Sequence, residues 1–424
     1  MPYRRRIVDA ALDELMPHLA AIALEGAKGV GKTATASQRA KTLLNLADPR
    51  QREVLSADLD HVVTLPTPTL IDEWQLVPEV WDRVRRAVDD DSAGGRFLLA
   101  GSAGVPPGVR IHSGAGRIVS FKLRPLSLAE REVAAPTVSL RDLLNGGAAI
   151  DGHSTVDLAG YVEEILRSGF PGIRDLPEPA RRMQLDGYVN RIVERELIEN
   201  GLQLRRPAAL KAWLTAYGAA TATDAAYTTI LDAATAGERD KPARQTVDGY
   251  REHLARIFVL DPLPAWMPVF APLKRLTNSP KHHLVDPALA ARLVASGRDA
   301  LLRGEGERVT TRPETGTWLG ALFESLAVQS VRTYAAAADA TVGHLRTKNT
   351  DREIDLVVES DDRRVVAMEV KLSATVSDAD VRHLLWLKDT LGARVADLVV
   401  LTTGPYAYRR RDGVAVVPLA LLGP

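Results

Sequence analysis

The stretch Gly26-Ala27-Lys28-Gly29-Val30-Gly31-Lys32-Thr33 decides the fold that we expect for the first part of the chain. It fits the pattern G-x-x-x-x-G-K-[ST] without a mismatch. The apolar run Ala21-Ile22-Ala23-Leu24 precedes it and is typical of a short buried strand. Residues 33–46 are typical of a helix, so strand, glycine-rich loop and helix follow in the order that a phosphate-binding loop requires.

Each residue type in this loop has a physical role in binding phosphate. Glycines at positions 26, 29 and 31 let the backbone wrap around a phosphate group, with several N–H groups pointing inward. Lys32 is expected to reach the β- and γ-phosphates, and the Thr33 hydroxyl to bind Mg²⁺. The sequence therefore predicts a site for a nucleoside triphosphate, with ATP as the expected ligand. Its predicted residues are Gly26, Ala27, Lys28, Gly29, Val30, Gly31, Lys32, Thr33 and Ala34.

The composition sets limits on the rest of the chain. Its 424 residues suffice for roughly two to four domains, and 46% apolar with 25% charged residues is typical of a globular protein. The net charge is zero, so contact with nucleic acid requires a local basic patch. There are no cysteines, which excludes disulfides and thiolate chemistry. No apolar run approaches the ~20 residues of a membrane span, and residues 1–6 lack a following signal-peptide core, so we expect a cytoplasmic protein.

A polar pair follows an apolar run further along the chain. We predict a second strand at residues 53–56 and a third at residues 70–73, which ends in Asp72 and Glu73. Beside a phosphate-binding loop, Asp72 would hold Mg²⁺ through a water molecule, and Glu73 would polarise the attacking water. The alternative is an ordinary strand that meets solvent at two acidic residues.

Two more strands complete the predicted sheet. Residues 96–102 form an apolar run that ends in Ser102, and residues 117–123 form another. In ATPases with an extra central strand, a polar residue at the place of Ser102 senses the γ-phosphate; a plain junction between strand and turn is the alternative. Five parallel strands alternating with helices predict an α/β fold, a doubly wound three-layer domain over residues 1–132.

The order of these segments resembles a known family. The loop, LIDEWQLVP (70–78), RFLLAGS (96–102), GAGRI (114–118) and LRPLSLAE (123–130) resemble bacterial and archaeal P-loop ATPases of the AAA type. In that family a C-terminal domain with a restriction-endonuclease-like fold follows the ATPase. The resemblance implies that Gln75 belongs to the signature and that residues 116–117 lie near the nucleotide. Arg117 is then either an arginine finger or a solvated strand residue. Lys28 stands where many members carry an arginine.

The middle of the chain is predicted to be mostly helical. Residues 133–206 are expected to form a linker and a helical lid, and residues 207–310 a winged-helix-like module with a connector. Within residues 239–256, positive side chains could contact DNA phosphates, although Asp248 and Glu252 dilute the charge. A role in packing is equally open. The positive residues are Arg239, Lys241, Arg244, Arg251 and Arg256.

A second group of charged residues lies within residues 311–424. Its predicted elements are a helix that contains Glu324, three strands, a helix and a further strand, which is the core order of the restriction-endonuclease-like fold. Asp355 and Glu369-Val370-Lys371 resemble the D…(D/E)-x-K signature of that superfamily. A hairpin centred on Asp362 would place Asp355 opposite Glu369, with Lys371 on the same face. The buried face would then comprise Ile354, Leu356, Val358, Val366, Met368 and Val370, and the charged groups would lie on the other face.

Phosphodiester hydrolysis is the chemistry that uses these residue types together. Asp355 and Glu369 would bind Mg²⁺ or Mn²⁺, with Glu324 as a third carboxylate. Lys371 would orient or deprotonate the attacking water. The alternative is a solvated hairpin, because the pattern E-x-K is frequent by chance.

These observations lead to one main functional hypothesis and two rivals. The main hypothesis is an ATP-hydrolysing switch coupled to a nuclease-like domain that acts on, or is regulated by, nucleic acid. The rivals are a nucleotide-dependent DNA-binding protein and a signalling ATPase that contacts a protein partner, each with a non-catalytic C-terminal domain. Many AAA-type ATPases assemble into rings, but the oligomeric state stays open because no arginine finger is assigned.

Overall fold

The chain folds into two compact units, each of which contains a sheet. The computed structural model describes residues 3–102, 113–196, 206–236, 242–268, 279–303, 318–348 and 351–424. The first unit comprises Met1–Pro125, Arg191–Arg205 and Gln245–Val259. The second unit comprises Leu126–Asn190, Arg206–Arg244 and Leu260–Pro424.

The first unit is built on a five-stranded parallel sheet. Its strands are β1 (Ala21–Glu25), β2 (Thr42–Asn45), β3 (Thr69–Asp72), β4 (Phe97–Gly101) and β5 (Ile118–Lys122). Its first helices are α1 (Val8–Leu15), α2 (Lys32–Ser37), α3 (Pro49–Ala57), α4 (His61–Thr64) and α5 (Glu79–Asp90). The strand order is β2-β3-β4-β1-β5, and every neighbouring pair is parallel. The expected extra strand, β4, lies between β1 and β3.

Both faces of this sheet are buried. Ala21, Ala23 and Ile71 belong to one apolar cluster, which also contains Trp81 of α5. Ile22 and Leu24 point to the opposite face, where they pack in a second cluster. Apolar side chains thus alternate between two helical layers, which agrees with the predicted three-layer α/β arrangement.

The segment after the phosphate-binding loop differs from the prediction. The helix expected over residues 33–46 ends at Ser37, and residues 42–45 form β2 at the edge of the sheet. The strand expected at residues 53–56 lies inside α3, which begins with Asp48 as N-cap and Pro49 at its first turn. Hydrogen bonding to the neighbouring strand β3 outweighs the helical propensity of the Thr42 segment. The Asp-Pro pair is a helix-start signal that we overlooked.

The second unit contains a larger sheet and further helices. Its strands are β6 (Val138–Ser139), β7 (Ala340–Arg346), β8 (Glu353–Ser360), β9 (Val365–Lys371), β10 (Val395–Thr402), β11 (Tyr408–Arg409), β12 (Ala415–Pro418) and β13 (Leu422–Gly423). The helices that continue the chain are α6 (Leu140–Asn145), α7 (Leu158–Arg167), α8 (Pro171–Arg174), α9 (Glu178–Arg191), α10 (Pro207–Ala219), α11 (Tyr227–Ala234), α12 (Arg244–Arg256), α13 (Pro287–Leu293), α14 (Arg298–Arg303), α15 (Trp318–Ala337) and α16 (Asp378–Leu391). The main sheet has the order β11-β12-β10-β9-β8-β7, and β13 pairs with β6.

The C-terminal elements follow the predicted order, α15-β7-β8-β9-α16-β10. Strands β8 and β9 are antiparallel, with Leu356 opposite Met368 and Val358 opposite Val366. This register, continued by one residue, places Asp355 opposite Glu369, which confirms the predicted hairpin register.

The charged residues lie on the face opposite Leu356 and Met368, as predicted, but that face is buried as well. Val357, Val365 and Ala367 lie on the same face as Asp355 and Glu369, and they pack in an apolar cluster with residues of α16. Helix α15 covers the other face. The sheet is buried on both faces because helices flank it on both sides.

The two compact units divide the middle of the chain differently from the domain boundaries that we predicted. Residues 133–190 of the expected lid belong to the second unit, where the Tyr161 ring lies 5.1 Å from the Phe323 ring and the Tyr161 hydroxyl accepts a hydrogen bond of 2.9 Å from the Ala420 N–H. The three helices of the expected winged helix are divided, since α10 and α11 belong to the second unit and Gln245–Val259 to the first. Packing of distant apolar faces, which local periodicity does not encode, decides this grouping.

A buried ionic cluster stabilises the second unit. The Glu164 carboxylate lies between Arg131 and Arg174, with N···O distances of 3.4 and 3.2 Å. Arg131 also donates to the Gln329 side-chain oxygen on α15 at 2.9 Å. Burial would raise the pKa of Glu164, but the two guanidinium groups outweigh this effect and hold the pKa below its ordinary value.

Among the described residues, no helix is long and apolar enough to cross a bilayer.

Replacing Glu164 by Gln should destabilise the protein. The change leaves two buried guanidinium groups without a counter-charge, so we expect the free energy of unfolding to fall by about 3–5 kcal/mol in urea titrations at pH 7. The loss should shrink in acid. The folded-state pKa is depressed, so the stabilisation is fully present above about pH 4.5 and is lost as the pH falls through the folded-state pKa.

Glu163→Gln is the matched control. Glu163 is 41% exposed and pairs with Arg181 at 3.2 Å, so this variant should lose about 1 kcal/mol or less. Equal losses in the two variants would contradict the role of the buried cluster.

Candidate functional site

The phosphate-binding loop and its predicted partners lie at one edge of the first sheet. Because the strands are parallel, their carboxyl ends meet at the same edge. The register places Glu25, the last residue of β1, beside Gly101, and Asp72 beside Ala100. The loop after β1, Asp72 and Glu73 after β3, and Ser102 after β4 therefore all emerge at this edge.

The loop backbone requires its glycines. Gly26, Gly29 and Gly31 have φ angles of 153°, 84° and 99°. A Cβ atom on Gly26 would lie 2.1 Å from the Leu123 carbonyl oxygen, so no larger residue fits there. The buried Lys32 ammonium group donates to the carbonyl oxygens of Gly26 at 2.8 Å and Ala27 at 2.9 Å. Its side chain thus lies across the loop that it follows.

The predicted magnesium ligands are adjacent. The Thr33 hydroxyl donates a 2.9 Å hydrogen bond to a carboxylate oxygen of Asp72. Burial raises the pKa of Asp72, and the hydrogen bond from Thr33 opposes that shift. A hydroxyl and a carboxylate are the hard oxygen donors that Mg²⁺ prefers, so these residues fit that ion.

Glu73 is held at the same edge by two polar neighbours. The Ser102 hydroxyl donates to a carboxylate oxygen of Glu73 at 3.3 Å, and the Gln75 side-chain amide donates to the same oxygen. Glu73 has a φ angle of 54°, a left-handed conformation that is uncommon for a residue other than glycine and that recurs at functional sites. The structure therefore brings Ser102, Gln75 and Glu73 together.

Arg6 supports the loop from behind, and sequence reasoning missed it. Its buried guanidinium group donates to the carbonyl oxygens of Val30 and Arg124, each at 2.8 Å. Its backbone N–H donates to Asp9 at 2.6 Å. The basic run at residues 1–6 carried no signal for this contact, because the partners are backbone oxygens distant in sequence.

The expected proximity of residues 116–117 to the nucleotide is not what the structure shows. Arg117 directly precedes β5, whereas the phosphate-binding loop follows the carboxyl end of β1, the parallel neighbour of β5. Arg117 therefore lies at the amino ends of the strands, and the phosphate-binding loop lies at their carboxyl ends. The Arg117 guanidinium group pairs with Asp89 at 2.8 Å and is half exposed, which matches the alternative of a solvated residue.

The candidate DNA-binding segment has mixed charge. Arg239 and Lys241 lie outside the described residues. On α12, Arg251 pairs with Asp248 at 3.4 Å. The apolar side of this helix is buried at Val247, Tyr250 and Leu254, so packing is one of its roles.

In the second unit, the predicted residues do converge. One carboxylate oxygen of Asp355 accepts a 2.9 Å hydrogen bond from the Val370 N–H. The Lys371 ammonium group donates to Glu369 at 2.8 Å. Glu324 reaches the same cluster from α15.

A residue that we did not predict completes this cluster. The Lys281 ammonium group lies 2.8 Å from Glu324, 2.9 Å from the other carboxylate oxygen of Asp355 and 3.0 Å from Glu353. Lys281 is only 2% exposed. In the sequence, Lys281 lies three residues before a short apolar run, Leu284-Val285, and this pattern does not identify a partner.

The electrostatics of this cluster follow from burial and close pairing. Burial works to lower the pKa of Lys281, but the three surrounding carboxylates hold it well above its usual value. Burial would raise the pKa of Asp355, yet Lys281 and Lys371 hold it well below its usual range. Burial and the adjacent Asp355 charge raise the pKa of Glu369 well above its ordinary value. Burial raises the pKa of Glu324 to about 8, although Lys281 opposes the shift.

The second cluster does not fit the metal site predicted at Glu324, Asp355 and Glu369. Both oxygens of Asp355 accept hydrogen bonds, one from Lys281 and one from Val370. Only one buried oxygen of Glu369 has no hydrogen-bond partner. Across the described part of the chain, no group of three acidic or histidine side chains is arranged to hold a metal ion. The hairpin pattern in the sequence identifies the carboxylates, but it does not identify Lys281, which comes from a distant part of the chain.

Comparisons with known proteins agree with the nucleotide site. Residues 19–132 match the AAA domain family. Residues 158–300 and 319–422 match two domains of unknown function, DUF8612 and DUF4143. The chain is 26% identical over 431 residues to uncharacterized proteins of Mycobacterium bovis and Mycobacterium tuberculosis, a match that covers 99% of this chain and 84% of each relative. The matches support an AAA-type ATPase family: an N-terminal AAA domain, which implies binding of ATP, is followed by a C-terminal DUF4143 domain.

Proposed function

We propose that the first unit binds ATP with Mg²⁺ and hydrolyses it. This proposal depends on the hydrogen bond between Thr33 and Asp72. Glu73 is the next residue in the chain, and the Lys32 side chain lies across the loop. This arrangement joins a phosphate-binding loop to an acidic pair at the carboxyl edge of a parallel sheet. The match of residues 19–132 to the AAA domain supports the same function.

Each residue has a distinct role in the proposed reaction. Lys32 leaves the carbonyl oxygens of Gly26 and Ala27 and binds the β- and γ-phosphates. Thr33 and Asp72 hold Mg²⁺, which when bound supplies positive charge against the phosphate oxygens. Glu73 accepts a hydrogen bond from the attacking water and polarises it. Ser102, already hydrogen-bonded to Glu73, links that carboxylate to the γ-phosphate.

For the second unit, we propose a nuclease-like fold that acts on nucleic acid or responds to it. The order α15-β7-β8-β9-α16-β10 and the convergence of Asp355, Glu369 and Lys371 support this proposal. In this scheme ATP turnover in the first unit regulates the second. The second candidate is a nucleotide-dependent switch whose nuclease-like domain does not cut. The position of Lys281 among the carboxylates favours it.

Glu73→Gln should separate ATP binding from ATP hydrolysis. The amide cannot polarise water as a carboxylate does, so we expect turnover to fall by about 10²-fold or more. Affinity for ATP should stay within about threefold of wild type, because Glu73 has no role in binding. Phosphate release and equilibrium binding of a fluorescent ATP analogue measure the two effects.

Lys32→Ala should instead weaken ATP binding, and Lys41→Ala, which changes an exposed lysine beyond α2, serves as its control. Undiminished turnover in Glu73→Gln would refute the assignment of the catalytic base. Equal affinities of Lys32→Ala and Lys41→Ala for ATP would refute the assignment of residues 26–33 as the phosphate-binding loop.

Incubation with DNA or RNA tests the nucleic-acid proposal. We expect Mg²⁺- or Mn²⁺-dependent cleavage, with or without ATP, to require Lys371 if the domain is a nuclease. Lys371→Ala would then lose cleavage, whereas Lys388→Ala, an exposed lysine on α16, would keep it. Absence of cleavage together with intact ATP turnover would favour the switch.

Salt-dependent DNA binding then tests the nucleic-acid partner of that switch. Binding should weaken in the variant Arg244→Ala/Arg251→Ala, because each lost phosphate contact reduces the salt dependence. Failure of the wild-type protein to bind DNA at low salt would favour a protein partner.

A further inference from the structure

Lys281 reaches the carboxylate cluster from a separate region of the chain. Lys281 lies in the segment that matches DUF8612, residues 158–300, whereas its carboxylate partners lie in the segment that matches DUF4143, residues 319–422. Lys281 and its three carboxylate partners all belong to the second compact unit. The two matched regions therefore share one ion cluster.

The backbone around Lys281 fixes the position of its side chain. The Lys281 N–H donates to the Leu263 carbonyl, and the Leu263 N–H donates to the Lys281 carbonyl, each at 2.9 Å. The stretch that contains Leu263 is held in turn against β7, where the Trp266 N–H donates to the His344 carbonyl at 2.7 Å. Lys281 thus belongs to an extended segment that is tied into the sheet, rather than to a swinging surface loop.

We propose that Lys281 is a built-in cation that takes the place of a divalent metal in the C-terminal site. Its ammonium group pairs with Glu324, Glu353 and Asp355 and excludes Mg²⁺ or Mn²⁺ from them. The inference deepens the second candidate function, a switch whose nuclease-like domain does not cut, and rests on it for the identity of the excluded ion.

The geometry matches an ammonium group in number and in distance. An ammonium group has three N–H donors, and Lys281 has three carboxylate neighbours at 2.8–3.0 Å. These are the lengths of charge-assisted hydrogen bonds, whereas Mg²⁺ lies at about 2.0–2.1 Å from its oxygen ligands.

The ammonium group and a metal ion are mutually exclusive in this cluster. A divalent ion bound to Asp355 would lie within a few ångströms of the Lys281 nitrogen in a buried site, where two positive charges repel strongly. Conversely, removal of Lys281 would leave buried carboxylates without their cation, which is the arrangement that attracts a metal ion. With Lys281 in place, Asp355 is an ion-pair partner and not a metal ligand.

Binding of Mn²⁺ to the full-length chain without nucleotide tests this inference. In titrations followed by electron paramagnetic resonance, wild type and Asp355→Asn should bind the same amount of Mn²⁺. Lys281→Met keeps most of the side-chain volume and removes the charge, so it should gain about one Mn²⁺ per chain. The double variant Lys281→Met/Asp355→Asn should lose that gain. Lys388→Met, which changes an exposed lysine of α16, should behave as wild type.

Two results would overturn the inference. One is a wild-type Mn²⁺ site that Asp355→Asn removes, and the other is a folded Lys281→Met protein that gains no Mn²⁺. If Lys281→Met does not fold by circular dichroism, the comparison of wild type with Asp355→Asn decides alone. Because the test measures bound Mn²⁺, the inference can fail or succeed independently of the ATPase and cleavage assays.

Discussion

Buried charge must be paired or hydrogen-bonded, and this requirement organises both units of the protein. In the first unit, the guanidinium group of Arg6 lies under the phosphate-binding loop and binds backbone oxygens. In the second unit, Glu164 lies between two arginines, and Lys281 lies among three carboxylates. Each unpaired partner would carry a large desolvation cost, so each pairing restricts how the surrounding helices and strands pack. Distant segments are thereby joined at defined points.

The two candidate sites use sheet geometry in different ways. In the first unit, the parallel sheet brings the loop, the acidic pair and Ser102 to the carboxyl ends of its strands. In the second unit, the hairpin of β8 and β9 brings Asp355 and Glu369 together inside the protein. The first site presents oxygen donors that suit a magnesium nucleotide. The second already contains its cation, which favours a role in binding or regulation over metal-dependent cleavage.

Regions that local patterns assign to separate modules are integrated in the structure. The middle of the chain supplies Lys281 to the C-terminal cluster, and Arg131 and Glu164 connect α7 with α15 through Gln329. Residues 245–259 instead belong to the first unit. The family boundaries along the sequence therefore do not coincide with the compact units, and a change in the middle region has a physical route to the C-terminal cluster.

The sequence by itself determined the phosphate-binding loop, the acidic pair at the end of β3 and the extra strand β4. It also determined the hairpin register that places Asp355 opposite Glu369. All of these depend on short-range patterns: glycines that a loop requires, alternation along a strand, and equal arm lengths of a hairpin. Only the tertiary structure decided that residues 42–45 form an edge strand, that α12 is separated from α10 and α11, and that Lys281 pairs with Asp355. Those outcomes depend on partners far apart in the chain, 74 residues in the last case, and no local pattern specifies such a partner.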